Sequence, residues 1–118
     1  MSLIYKLLSQ AEWQKAQAAG AFTGSAVDLA DGYIHFSTGA QAQETARRYF
    51  SGQSDLMVLA IETDDLSADL QASLIWEPSR GGDLFPHLYR PLPVEAVLRA
   101  WPVDLDDDGV PMMGDLAR

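Results

Sequence analysis

The chain has 118 residues, with 8 Lys and Arg against 17 Asp and Glu, so its net charge at pH 7 is −9. That length suits one domain, and 47% apolar residues including three Trp suffice for a core without metal or disulfide support. Cysteine is absent, which excludes a disulfide framework, thiolate metal sites and a cysteine nucleophile. A sequence pI near 4.3 disfavours nucleic acid as a partner, because such binding depends on Lys and Arg neutralising phosphates. No apolar run approaches the roughly 18 residues of a membrane span, and polar residues enter the MSLIYKLLSQAEW start too early for a signal peptide. The expectation is a soluble, cytoplasmic protein with no membrane partner.

Leu3 to Leu7 is a short apolar run expected to form a first strand. Ser9 and Glu12 have capping-box spacing, so a helix is predicted over 10–19, with Gly20 as its left-handed stop. After a loop of small residues, Tyr33 to Ser37 alternates and is rich in aromatic and β-branched side chains, as a strand would be. Thr38 and Gln41 repeat the capping box, and Ala42, Ala46, Tyr49 and Phe50 recur at helical spacing before Gly52. Leu56 to Ile61 is continuously apolar, the pattern of a strand buried on both faces, and Asp64-Asp65 follow as a turn. Leu70 to Trp76 reads as a strand, Pro78 to Asp83 as a loop, and Val97 to Val103 as the last strand. Strand, helix, strand, helix and then mostly strands predict a small α+β fold with two short helices. The domain is expected over 1–103, with an acidic C-terminal tail over 104–118.

Unperturbed imidazole titrates near neutral pH and can donate, accept or coordinate, so the two histidines are the first candidates for chemistry. Strand alternation sets His35 opposite Ile34 and Phe36 and on one face with Tyr33 and Ser37. Either it is a half-buried structural histidine or it belongs to a pocket with His87. The latter lies in Phe85-Pro86-His87-Leu88-Tyr89-Arg90-Pro91, where prolines stiffen the chain and imidazole, phenol and guanidinium form a candidate ligand platform. The same segment could instead be an ordered loop at a sheet edge. Glu77, directly after Trp76 at a strand end, is either a partly desolvated acid ready for catalysis or a solvated terminus.

Asp104, Asp106, Asp108 and Asp115 match calcium-loop spacing. The context opposes it: Pro102 and a predicted strand precede the loop, Pro111 interrupts it, and Asp replaces the usual final Glu, so an exposed solubilising tail is preferred and no metal is expected. Phosphate loops, dinucleotide fingerprints, serine elbows and zinc-protease motifs are missing from the sequence.

DGYIHFST at 31–38, FSGQSDL at 50–56, Glu77 and FPHLYRPL at 85–92, in that order, resemble the bacterial DUF952 family, whose function is not established. The resemblance covers roughly residues 3–103 and includes the Trp13 helix and the PLPVEAV stretch at 91–97. It implies a remote likeness to the ADP-ribosyltransferase superfamily, in which two small, mainly antiparallel sheets bind NAD in a cleft without a Rossmann domain. The likeness implies that His35 bonds the nicotinamide-side ribose, that Tyr89 or His87 stacks on the nicotinamide, and that Glu77 steadies the ribosyl transition state. The paired Glu of arginine-modifying members is absent, and the −9 charge argues against an RNA-end substrate.

The expected site is therefore a cleft lined by His35, Ser37, Glu77, His87 and Tyr89, with Arg90 beside it. His35 and Glu77 would be catalytic, the ligand would be NAD or a related nucleotide, and ADP-ribose would be transferred. The alternative is a module that binds a nucleotide-like metabolite or a protein without catalysis.

Overall fold

In the computed structural model, which describes residues 2–116, Ile4, Lys6 and Leu8 alternate with Tyr5 and Leu7 along β1 (Leu3–Ser9), and both faces of the strand are buried. β1 sits inside a four-stranded antiparallel sheet between β4 (Ser37–Thr38) and β5 (Leu56–Glu62), and β9 (Arg99–Pro102) completes the order β4-β1-β5-β9. The β1–β5 register runs from Leu3↔Glu62 to Ser9↔Leu56. Leu59 and Ile61 enter one core with Ile4, Leu8, Phe22 and Leu88, while Leu56, Val58 and Ala60 enter the other with Tyr5 and Leu7. The continuous apolar run of β5 thus serves two cores, one per face, as the sequence predicted.

α1 (Gln10–Ala19) starts at Ser9, where both bonds of the capping box form, and ends at Gly20 with φ +90°, a backbone region that an L side chain resists. α3 (Gly39–Tyr49) starts at the second capping box, Thr38 with Gln41, and covers the second core with Ala42 and Ala46. Two helices were not foreseen. α2 (Ala26–Asp31) occupies the loop of small residues, and α4 (Ala68–Ser73) replaces the first half of the strand expected over 70–76. In α4 the Ser67 side chain accepts from the Leu70 N–H, and Leu70 is buried on one side of the turn, a helical use of an apolar residue that strand alternation also allowed. The strand proper, β6 (Leu74–Pro78), begins four residues later than predicted.

A second antiparallel sheet orders β3 (Ile34–His35), β7 (Leu84–Leu88) and β6. β2 (Ala21–Phe22) pairs with β8 (Leu92–Pro93) as a small ribbon. The single strand expected over 33–37 is split, because β3 belongs to the second sheet and β4 to the first.

The segment after Val103 is acidic but not a free tail. Leu105 bridges Pro111, and Asp106 Oδ1 accepts from the N–H groups of Asp108 and Val110 at 2.8 and 3.0 Å. Gln43 on α3 donates to the Pro111 carbonyl at 2.9 Å and accepts from the Met113 N–H at 3.0 Å, and Met113 is buried in the second core. An apolar foothold of Val103, Pro111 and Met113 holds the segment, which composition alone concealed. Met1, Ala117 and Arg118 lie outside the described residues, and with them the two ends of the expected domain and tail.

Candidate functional site

The chain changes sheets at Phe36, whose N–H donates to the Pro86 carbonyl at 3.0 Å. Proline has no N–H, so Pro86 is tolerated in the middle strand at the point where its neighbour departs. β4 pairs with β1 only at Ile4↔Thr38 and Tyr5↔Ser37. Beyond that short pairing the edge of β1 borders a cleft of about 530 Å³ whose wall includes Lys6, Tyr33, His35, Ser37, Arg80 and His87. The volume falls within the range of small-molecule sites, about 300–1,000 Å³.

Asp28, fully buried on α2, is the hub of one wall. Its Oδ1 accepts from Lys6 Nζ at 3.0 Å, from the His35 N–H at 3.1 Å and from His35 Nδ1 at 2.6 Å. Oδ2 accepts from Lys6 Nζ at 2.8 Å and from the Ser25 N–H at 2.8 Å. Burial alone would raise the Asp28 carboxyl, but the His35 hydrogen bond and the Lys6 charge outweigh it and hold the group down at about 2. Burial pushes the Lys6 ammonium down, and Asp28 offsets this in part. His35 Nε2 meets Asp31 Oδ2 at 2.9 Å. Both ring nitrogens of His35 thus face carboxylate oxygens.

The other wall is built on β7. His87 is buried, and its Nδ1 lies 2.8 Å from Glu77 Oε1, which also accepts from the Tyr89 hydroxyl at 2.7 Å. The Tyr89 and His87 hydrogen bonds lower the Glu77 carboxyl, and the same bond raises the Tyr89 phenol to about 12. In a neutral ring a carboxylate at Nδ1 favours the tautomer with hydrogen there, which makes Nε2 the acceptor. Among the described residues no hydrogen bond to Nε2 forms, and His87 is part of the cleft lining. Tyr33 stacks on the His87 ring with centroids 4.1 Å apart and planes at 27°, and lies 4.6 Å from His35 and 5.1 Å from Tyr89. Burial, with the charges of Asp31 and Glu77, raises the Tyr33 phenol.

The third side is the loop after β6. Arg80 lies over the Phe85 ring at 4.9 Å and donates from Nη1 to Thr45 Oγ1 at 3.2 Å. Thr45 Oγ1 is 2.9 Å from Ser37 Oγ and 3.2 Å from the Gln41 carbonyl.

The group expected from the sequence is divided. His35, Ser37 and His87 line the cleft together. Glu77 is bonded to His87 Nδ1 but is not among the residues lining the cleft. Tyr89 and Arg90 border a separate pocket of about 190 Å³ on the far side of Tyr33. Asp106 is engaged with its own turn, and among the described residues no three His, Asp or Glu, Asp104, Asp106, Asp108 and Asp115 included, converge as metal ligands. No helix of the described residues is long and apolar enough to cross a membrane.

Sequence reasoning missed Lys6, Asp28, Thr45 and Arg80. Two signals were available: Lys6 is the only charge in the apolar run LIYKLL, and Ser25-Ala26-Val27-Asp28 has the serine-to-acid spacing used at Ser9. Nothing local marks Thr45 or Arg80, which tertiary packing alone turns inward.

The crystal structure of protein CC0527 from Caulobacter crescentus is 59% identical to this chain, covers 97% of it and 96% of that chain, and superposes with a TM-score of 0.89. The solution NMR structure of CC0527 is 59% identical, with 98% and 96% coverage and a TM-score of 0.85. No match was found among curated proteins. Residues 7–100 match the model of the DUF952 family, described as proteins of unknown function, and the chain belongs to that family.

Proposed function

We propose that the cleft binds a nucleotide-like small molecule, with NAD as the substrate and ADP-ribose transfer as the reaction. The observation that carries this reading is His87, which lines the cleft beside the Tyr33 ring with its Nδ1 held by Glu77. Such a histidine is a general base with a fixed tautomer, and the carboxylate behind it stabilises the imidazolium that forms. With water as acceptor, the bond between nicotinamide and the ribose carbon breaks and nicotinamide leaves neutral. A water oxygen bonds that carbon, and its proton goes to His87 Nε2. The leaving group departs as positive charge spreads over the ribose, so orientation and nearby negative charge matter more than a strong nucleophile. Asp31 on the cleft wall supplies negative charge nearer the ligand than Glu77 does.

A binding module without turnover is the second reading, and one observation favours it. Both nitrogens of His35, the residue that the family resemblance would set on the ribose, are engaged by Asp28 and Asp31.

An amide chemical-shift titration with NAD, ADP-ribose and nicotinamide, paired with a nicotinamide-release assay, separates these outcomes. Saturable shifts over residues 33–37 and 85–87 with release reduced about 100-fold or more in His87→Gln support the enzyme. Shifts without release support the module, and no shifts at millimolar NAD refute the transferase.

A further inference from the structure

We propose that Arg80 is the anion anchor of the cleft and that the ligand carries a phosphate group seated on its guanidinium. This deepens the proposed function and rests on the cleft being a ligand site. The other basic groups of the cleft already have acid partners: Lys6 has Asp28, His35 has Asp28 and Asp31, and His87 has Glu77. On the nearby helix α3, Arg47 and Arg48 share Glu44. Arg80 lies within 4 Å of no carboxylate among the described residues, although the chain carries 17 Asp and Glu. It is half-buried against Phe85, where a guanidinium gives up part of its hydration and gains most from an anion.

Its one side-chain bond, Nη1 to Thr45, uses one of five N–H donors and leaves a fork for two phosphate oxygens. Thr45 is held by Ser37 and Gln41, so the guanidinium is oriented before a ligand arrives. Arg90, the anion fork expected from the sequence, is also without an acid partner, but it is exposed and on the far side of Tyr33. The assignment moves the phosphate from the Arg90 pocket to the cleft that holds His87.

The test is calorimetric binding of ADP-ribose and of adenosine, which lacks phosphate, to the wild type, Arg80→Gln and Arg80→Lys at two salt concentrations. Arg80→Gln is expected to weaken ADP-ribose about 10- to 100-fold and to leave adenosine unchanged, the loss typical of a charge-assisted bond. Arg80→Lys keeps the charge without the fork and falls between, still with salt-sensitive binding. Should Arg80→Gln fail to fold, Arg80→Lys decides, because wild-type affinity in it removes the need for the fork. ADP-ribose bound equally by wild type and Arg80→Gln, with shifts still at His87, overturns the anchor and spares the cleft. Adenosine bound without ADP-ribose overturns the phosphate. Neither bound by the wild type overturns the anchor and the cleft together.

Discussion

Asp28→Asn tests whether one buried carboxylate joins three elements. The side chain is nearly isosteric, but of the five donor contacts to Asp28, the Lys6 Nζ contact at 2.8 Å and the Ser25 N–H contact at 2.8 Å fall on the oxygen that an amide nitrogen would replace if Oδ1 is kept. Lys6 is only 4% exposed and would lose its counter-charge. Breaking a buried pair from one side costs about 3–5 kcal/mol, a large share of the roughly 5–15 kcal/mol that holds a domain together. At a few degrees per kcal/mol for a chain of this size, the melting temperature should fall by about 10–20 °C. Urea unfolding at pH 7 followed by Trp emission reads the loss directly. Lys6→Met combined with Asp28→Leu removes both charges but strips the Ser25 and His35 N–H groups of their acceptor, so it should recover only part of the loss. A cost under about 1 kcal/mol for Asp28→Asn, or additive effects of the Lys6 and Asp28 single substitutions, would refute the hub.

Acid should expose the same group. The Asp28 carboxyl sits at about 2, below its ordinary 3.8, so its contribution is fully present above pH 4 and lost as pH falls toward 2. The expected loss is up to about 2 kcal/mol by urea titration, and it should be absent in the Lys6→Met, Asp28→Leu variant. Tyr89→Phe should remove a phenol titrating near 12 from the ultraviolet alkaline titration while leaving the urea midpoint nearly unchanged, because the side chain is exposed. Met113→Ala should cost about 2–3 kcal/mol if the C-terminal segment is packed as described, whereas no loss would return it to a free tail. Gly24→Ala should destabilise by more than about 1 kcal/mol, since its φ is +126° and an added Cβ would meet Asp28 Cβ at 2.9 Å.

The cleft was legible only in part, and particular residues show why. Alternation sets His35 and Ser37 on one face and Phe36 on the other, yet all three line the cleft, because the chain passes from the second sheet to the first between His35 and Ser37. Tyr89 and Arg90 were grouped with His87 because they are close in sequence. Tyr89 still meets His87 through their shared acceptor Glu77 Oε1, but β7 ends at Leu88, and beyond it Tyr89 and Arg90 border the smaller pocket instead of the cleft. Glu77 was correctly singled out as a strand-end acid, but its pairing Glu77↔Phe85 across two strands decides that it meets His87 and not the cleft directly.

The sequence by itself determined the local elements whose signals are complete within a few residues. The capping boxes at Ser9 and Thr38, the left-handed stop at Gly20 and the two-faced apolar strand at Leu56 are of this kind. They depend on hydrogen bonds and side-chain spacing within one or two turns, so no distant residue can contradict them. Tertiary structure alone decided the site. Lys6 and Asp28 are 22 residues apart, and Arg80 and Thr45 are 35 apart, so each pair forms only when distant elements pack together. Long-range pairing of this sort follows from how two sheets and their cores share burial, a balance that no local pattern encodes.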